Sequence, residues 1–145
     1  MNRKLACTVM VGIVGISLGS SANAAGAKPF TKTVSYTDAT PDPTGNTGAT
    51  DSQHCEGKLG TDPGVKVKFP AAGTIDVAIS GYTGDWALEL RDAAGENLAG
   101  DDQNPPATEA TSVRIKKAQV IQILPCNLAG TPQATITYTW TPKKK

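Results

Sequence analysis

Gly73-Thr74-Ile75-Asp76-Val77-Ala78-Ile79-Ser80, then Gly81-Tyr82-Thr83-Gly84-Asp85, then Trp86-Ala87-Leu88-Glu89-Leu90-Arg91: this stretch decides the fold. Ile75, Val77 and Ile79 alternate with Asp76 and Ala78. Trp86, Leu88 and Leu90 alternate with Ala87, Glu89 and Arg91. Successive side chains of a strand point to opposite faces, so a period of two makes one apolar face and one wet face. That is the pattern of half-buried antiparallel strands. Gly81 to Asp85 joins the two strands as a turn.

The same period extends outward in both directions. Val65, Val67 and Phe69 alternate with Lys66 and Lys68, Val113 and Ile115 with Arg114 and Lys116, and Ile136, Tyr138 and Trp140 with Thr135, Thr137 and Thr139. Gln119 to Leu124 is more continuously apolar and reads as a central strand covered on both sides. Pro70-Ala71-Ala72-Gly73 and Asp92-Ala93-Ala94-Gly95 supply turns, with Gly95 suited to positive φ. Short strands at this spacing predict an all-β sandwich or barrel. The expected core is Val67, Phe69, Ile75, Val77, Ile79, Trp86, Leu88, Leu90, Val113, Ile115, Ile136 and Tyr138, with Trp140 in the same phase. The sandwich domain is expected over residues 51–142. Residues 143–145 form a basic tail of three lysines, read as solvated.

The N-terminus reads differently. Arg3 and Lys4 precede an uncharged apolar run from Leu5 to Leu18, followed by Ala22-Asn23-Ala24. A basic start, a short apolar segment and a small-x-small site make residues 1–24 a secretory signal peptide. The run is about 14 residues, short of the roughly 20 needed to span a bilayer. No stable membrane insertion is expected after cleavage. The mature chain is then secreted or periplasmic. Residues 25–50, rich in Thr, Gly, Ala, Pro and Asp, read as an extended arm or linker in which Thr33-Val34-Ser35-Tyr36-Thr37 can add an edge strand.

Cleavage removes two of the 14 basic residues and leaves the 13 acidic ones, a formal charge near −1 in place of +1. Phosphate binding draws on clustered Lys and Arg, so nucleic acid is not an expected partner. Cys7 leaves with the signal. Cys55 and Cys126 remain, and an even pair in an exported chain reads as a disulfide. It would close a loop of about 70 residues, worth on the order of 4 kcal/mol in the chain-entropy model. There is no Cys-x-x-Cys and only one His, His54. That set falls short of a structural zinc site.

Asp51-Ser52-Gln53-His54 contains the residue types of a catalytic triad, but neighbours on a loop do not converge on one substrate, and no Gly-x-Ser-x-Gly elbow exists. No catalytic residue is assigned. Asp85, Asp92, Glu96, Asp101, Asp102 and Glu109 lie in or beside turns. The expectation is that Asp85 and Asp92 shape turns and that no cofactor is required. A calcium site at Asp85, Asp101 and Asp102 is the alternative, since hard cations take oxygens from loops. Tyr36 and Tyr82, in edge or turn contexts, and Gln103 and Asn104 form the candidate binding surface. Asp101-Asp102-Gln103-Asn104-Pro105-Pro106 reads as a stiffened exposed loop, because paired prolines lower the cost of ordering on binding.

The run from Gly73 to Leu90, the turn Asp92-Ala93-Ala94-Gly95 and Glu109 ahead of the Val113 strand resemble the bacterial pre-peptidase C-terminal domain. The resemblance covers roughly Val65 to Trp140. It implies an antiparallel jelly-roll-like β-sandwich and a non-catalytic accessory or binding role beside secreted peptidases. Some relatives bind calcium at a strand-end cluster, but Ala87 stands where the family has its second acidic residue. Calcium is therefore not expected to be needed for folding. The expected partner is an extracytoplasmic protein or glycan. The rival reading is an exported protein-binding module, such as a protease inhibitor, presenting the 101–106 loop.

Overall fold

The computed structural model describes residues 27–39, 55, 64–103 and 108–144. The signal peptide, Asp51 to His54, Asn104, Pro105 and Pro106 lie outside these residues, as does half of the expected arm or linker. Eight strands are present among the described residues: β1 (Phe30–Thr37), β2 (Val65–Phe69), β3 (Gly73–Ser80), β4 (Gly84–Arg91), β5 (Asn97–Asp101), β6 (Ala110–Ile115), β7 (Gln119–Gly130) and β8 (Gln133–Pro142). They form two four-stranded sheets, ordered β1-β8-β3-β6 and β2-β7-β4-β5. Every pairing is antiparallel. This interleaved order is that of a jelly roll, in which the chain crosses repeatedly between two sheets.

β1 is the edge strand expected within the arm, and it is longer than Thr33–Thr37. It pairs with β8 from Phe30↔Trp140 to Thr37↔Gln133. Phe30, Val34 and Tyr36 alternate with threonine and serine, and all three pack partly buried against the core. Phe30 stacks on Phe69 of the opposite sheet at 6.1 Å and meets Trp140 at 5.6 Å. An arm poor in apolar mass thus docks through one aromatic anchor and a full ladder.

The core between the sheets is the one that the alternation predicts. Phe69, Ile75, Ile79, Trp86, Leu88, Leu90, Ile136 and Trp140 are fully buried, each worth about 1.5–3 kcal/mol or more on burial. Val67 and Val113 are only partly buried. Both lie on edge strands, β2 and β6, where the opposite sheet covers them incompletely.

The outer face of the second sheet departs from expectation. Ala87, Glu89 and Arg91 of β4 were expected on a wet face, yet they are 0%, 0% and 6% exposed. Cys55 lies over this face, bonded to Cys126 of β7 with a Cα–Cα distance of 5.7 Å. Cys55, Ala87, Leu124, Cys126 and Leu128 form a second, smaller core there. Glu89 Oε1 accepts the Cys55 N–H at 2.9 Å, and Glu89 Oε2 accepts from Arg91 Nε at 2.7 Å and from its Nη2. Arg91 Nη1 also donates to the Gly95 carbonyl at 3.1 Å. A charge buried this deeply must be paired and hydrogen-bonded, and these contacts provide for it.

Candidate functional site

One end of the sandwich gathers the turn between β3 and β4, the end of β5, the start of β6 and the turn between β7 and β8. Gly81, at φ 74°, starts the first turn. The β7–β8 turn is joined to it: the Thr131 N–H donates to the Thr83 carbonyl at 2.9 Å, and the Thr83 N–H to Thr131 Oγ1 at 3.0 Å. Asp38, just after β1, ties the two sheets together here. Its N–H donates to the Pro132 carbonyl at 2.8 Å, and its carboxylate accepts the Asn127 N–H at 3.0 Å. Asn127 sits at a bulge in β7, where Asp85↔Ala129 gives way to Trp86↔Asn127.

On this scaffold Tyr82, Asp85, Asp101, Asp102 and Glu109 come together. Tyr82 is half-buried beside Trp86, with ring centroids 5.6 Å apart, and its hydroxyl oxygen accepts the Glu109 N–H at 3.3 Å. Glu109 is 1% exposed, and its Oε2 accepts the Gln103 N–H at 2.9 Å. Asp101 braces both sides. Its Oδ2 accepts the Ala110 N–H at 2.8 Å and its Oδ1 the Gln103 Nε2–H at 3.3 Å.

The electrostatics are one-sided. Burial pushes Glu109 from the usual carboxylate range up to about 7, and the neighbouring Asp101, Asp102 and Asp85 add to the rise against the Gln103 hydrogen bond. Burial and then Asp102 raise Asp85 as well. Burial, followed by the charges of Glu109, Asp101 and Asp85, raises the Tyr82 phenol, against the hydrogen bond from the Glu109 backbone. A buried group facing like charges resists ionisation. Among the described residues, none of the groups acting on Glu109 is basic.

The residues singled out from sequence are only partly brought together. Tyr82, Asp85, Asp101, Asp102 and Gln103 share this end. Tyr36 lies close by, lining with Gly81, Gln133 and Thr135 a shallow hollow of about 280 Å³. Asp92 belongs elsewhere. Its Oδ1 accepts the N–H groups of Ala94 and Glu96 at 2.8 and 3.1 Å, the turn-forming role expected of it. Glu109 is the member that sequence reasoning left unassigned as a site. Its signal was an isolated acid directly before a β-strand, and nothing local marks such a residue as buried.

For a cation, the oxygen supply is partly spent. Both Asp101 oxygens and one Glu109 oxygen already accept hydrogen bonds. Among the described residues no three of His, Cys, Asp and Glu are arranged to hold a metal ion.

No family model matches the chain, and no curated protein matches it. One solved structure, described as "Bacillus endospore appendages form a novel family of disulfide-linked pili", is similar at 10% identity with a TM-score of 0.35, over 79% of this chain and 88% of that one. A likeness at that level carries no argument about function.

Proposed function

We propose that this chain is a non-catalytic accessory domain of the pre-peptidase C-terminal kind, secreted or periplasmic, that works by binding. Its binding surface is the acidic end. The observation that carries this reading is the convergence of Tyr82, Asp85, Asp101, Asp102 and Glu109 from three separate segments of the chain. Such crowding of like charge opposes folding, and strongly perturbed groups cluster where a protein meets its ligands. A surface of one sign steers and selects a partner of the other, so the partner is an extracytoplasmic protein presenting Lys and Arg. The Cys55–Cys126 bond supports an oxidising compartment.

The test is fluorescence anisotropy of a labelled Lys/Arg-rich peptide, with a Glu-rich peptide as control, against the mature protein. Binding should weaken with salt. It should fall by about tenfold or more in the Asp85→Asn, Asp102→Asn double variant, equivalent to ~1.4 kcal/mol. Equal affinity for both peptides, or an unchanged double variant, would remove the reading.

A second reading keeps the 101–106 loop as the contact of a protease inhibitor. It is favoured by the bracing of Gln103 through Asp101 and Glu109, since a pre-ordered loop root lowers the cost of binding. Inhibition of a secreted serine or metalloprotease, lost on Gln103→Ala, would select it.

A further inference from the structure

We propose that Glu109 is a proton switch for the acidic end: protonated, it holds Gln103, after β5, to the start of β6 and to the Tyr82 turn; ionised, its charge, buried among other acids, loosens them. The inference concerns the regulation of the surface assigned above and takes its biological meaning from that reading. The switch itself is a property of the isolated domain.

The geometry places Glu109 at a junction. Its carboxyl holds Gln103, after β5, at 2.9 Å. Its N–H holds the Tyr82 hydroxyl at 3.3 Å. Its carbonyl accepts the Ile79 N–H of β3 at 2.9 Å. One residue therefore links elements of both sheets, and it does so from a position 1% exposed to solvent. Burial acts on it first, then the Gln103 N–H, which favours the ionised form, and then Asp101 at the end of β5, Asp102 just after it and Asp85 from β4, with the Tyr82 phenol beside them. Among the described residues every titratable group in this set is acidic. Ionising Glu109 places a fourth carboxylate charge among them, away from water.

Repulsion of this kind is relieved either by taking up a proton or by separating the groups. The closed arrangement takes up the proton: burial above all, with the neighbouring acids adding to it, raises Glu109 to about 7 from 4.5. An opened arrangement, with the carboxyl in water, titrates in the ordinary range. By linkage, opening becomes easier as pH rises through that interval, by up to about 300-fold for a separation of this size. Near-neutral pH lies on the slope, so a modest acidification of the surroundings firms the end and removes one negative charge from it. A basic partner then finds a surface that is more negative and more adaptable on the alkaline side.

The experiment uses the mature protein without any partner. The ¹³C shift of Glu109 Cδ and the hydrogen exchange of the Gln103 and Ala110 amides are followed from about pH 5 to about pH 8.5, with exchange corrected for its intrinsic pH dependence. The Cδ midpoint should fall near 7, and protection at Gln103 should drop across the same interval. Glu109→Gln, which mimics the protonated state, should keep its protection throughout. Asp102→Asn should lower the midpoint, because one repelling charge is gone. A midpoint in the ordinary carboxylate range overturns the switch. So does corrected exchange independent of pH, or a Glu109→Gln variant that still loosens. An unchanged midpoint in Asp102→Asn overturns the repulsion that drives it. Because no peptide is present, failure of the basic-partner reading leaves these readouts intact, and the two can be told apart.

Discussion

The outer faces of the two sheets show the same alternation in sequence and opposite fates in the fold. On the first sheet the outward residues of β1 and β8 are Thr31, Thr33 and Ser35 beside Thr139, Thr137 and Thr135. Thr31 and Thr139 share a hydroxyl hydrogen bond of 2.8 Å, and Thr33 and Thr137 one of 3.3 Å. Exposed Asp76 accepts the Ser112 hydroxyl at 2.8 Å. On the second sheet the outward residues Ala87, Glu89, Arg91, Leu124 and Cys126 are buried. Alternation says which side chains share a face. It does not say what lies over that face, and here a covalent tether at Cys55 decides it.

The sharpest way to break this comparison is to remove one carboxylate from each face. Glu89→Ala leaves the Arg91 guanidinium buried and the Cys55 N–H unpaired. It should cost about 3–5 kcal/mol in denaturant unfolding. Asp76→Ala, on the wet face, should stay within about 0.5 kcal/mol. Equal costs would mean that the second sheet is wet after all.

The tether itself comes next. Cys126→Ala should destabilise by about 2–5 kcal/mol. Native-state hydrogen exchange should show the loss first around Ala87, Leu124 and Leu128, with β1 and β8 protected until global unfolding. Uniform loss in both sheets would show that Cys55 does not cover one face selectively.

Glu109 tests the end where the sheets meet. Its folded value, about 7, lies above the usual one near 4.5. The proton therefore favours the fold. That contribution is fully present below about pH 4.5 and is lost as pH rises toward 7 and just beyond. A shift of this size corresponds to a decline of at most about 3–4 kcal/mol. Thermal or urea melts of Glu109→Gln should lack this decline and exceed the wild type at about pH 8. Apart from the Asp76→Ala control, the smallest effect belongs to the threonine ladder. Thr33→Ala together with Thr137→Ala should cost about 0.2–1 kcal/mol.

Much of this was legible, and the reason is periodicity. Ile75, Val77 and Ile79, then Trp86, Leu88 and Leu90, then Ile136, Tyr138 and Trp140 each declare a face within one segment. The two cysteines of the mature chain declare a bond by number and compartment. What escaped depends on residues far apart in the chain. Glu89 looks like any solvent-facing acid until Cys55, 34 positions earlier, donates its N–H to it. Asp38 looks like a linker residue until Asn127, 89 positions later, uses it to close the sandwich. The acidic end was half visible: Asp85, Asp101, Asp102 and Glu109 could all be named as turn acids, but the burial of Glu109 at its centre comes only through the β5–β6 topology. The extent of β1 was understated because threonine supplies strand propensity without apolar mass.

Gly84 and Gly130 face each other where β4 begins and β7 ends. Both have positive φ, at 98° and 150°. A Cβ on Gly84 would run into the Ala129 carbonyl, and one on Gly130 into that of Thr83. Neither collision is with a side chain that could swing aside. The two positions are therefore locked to one residue type together. During divergence this pair should stay frozen, so in distant kin a glycine pair at this spacing is a better marker of shared descent than the apolar strands, which any sandwich reinvents.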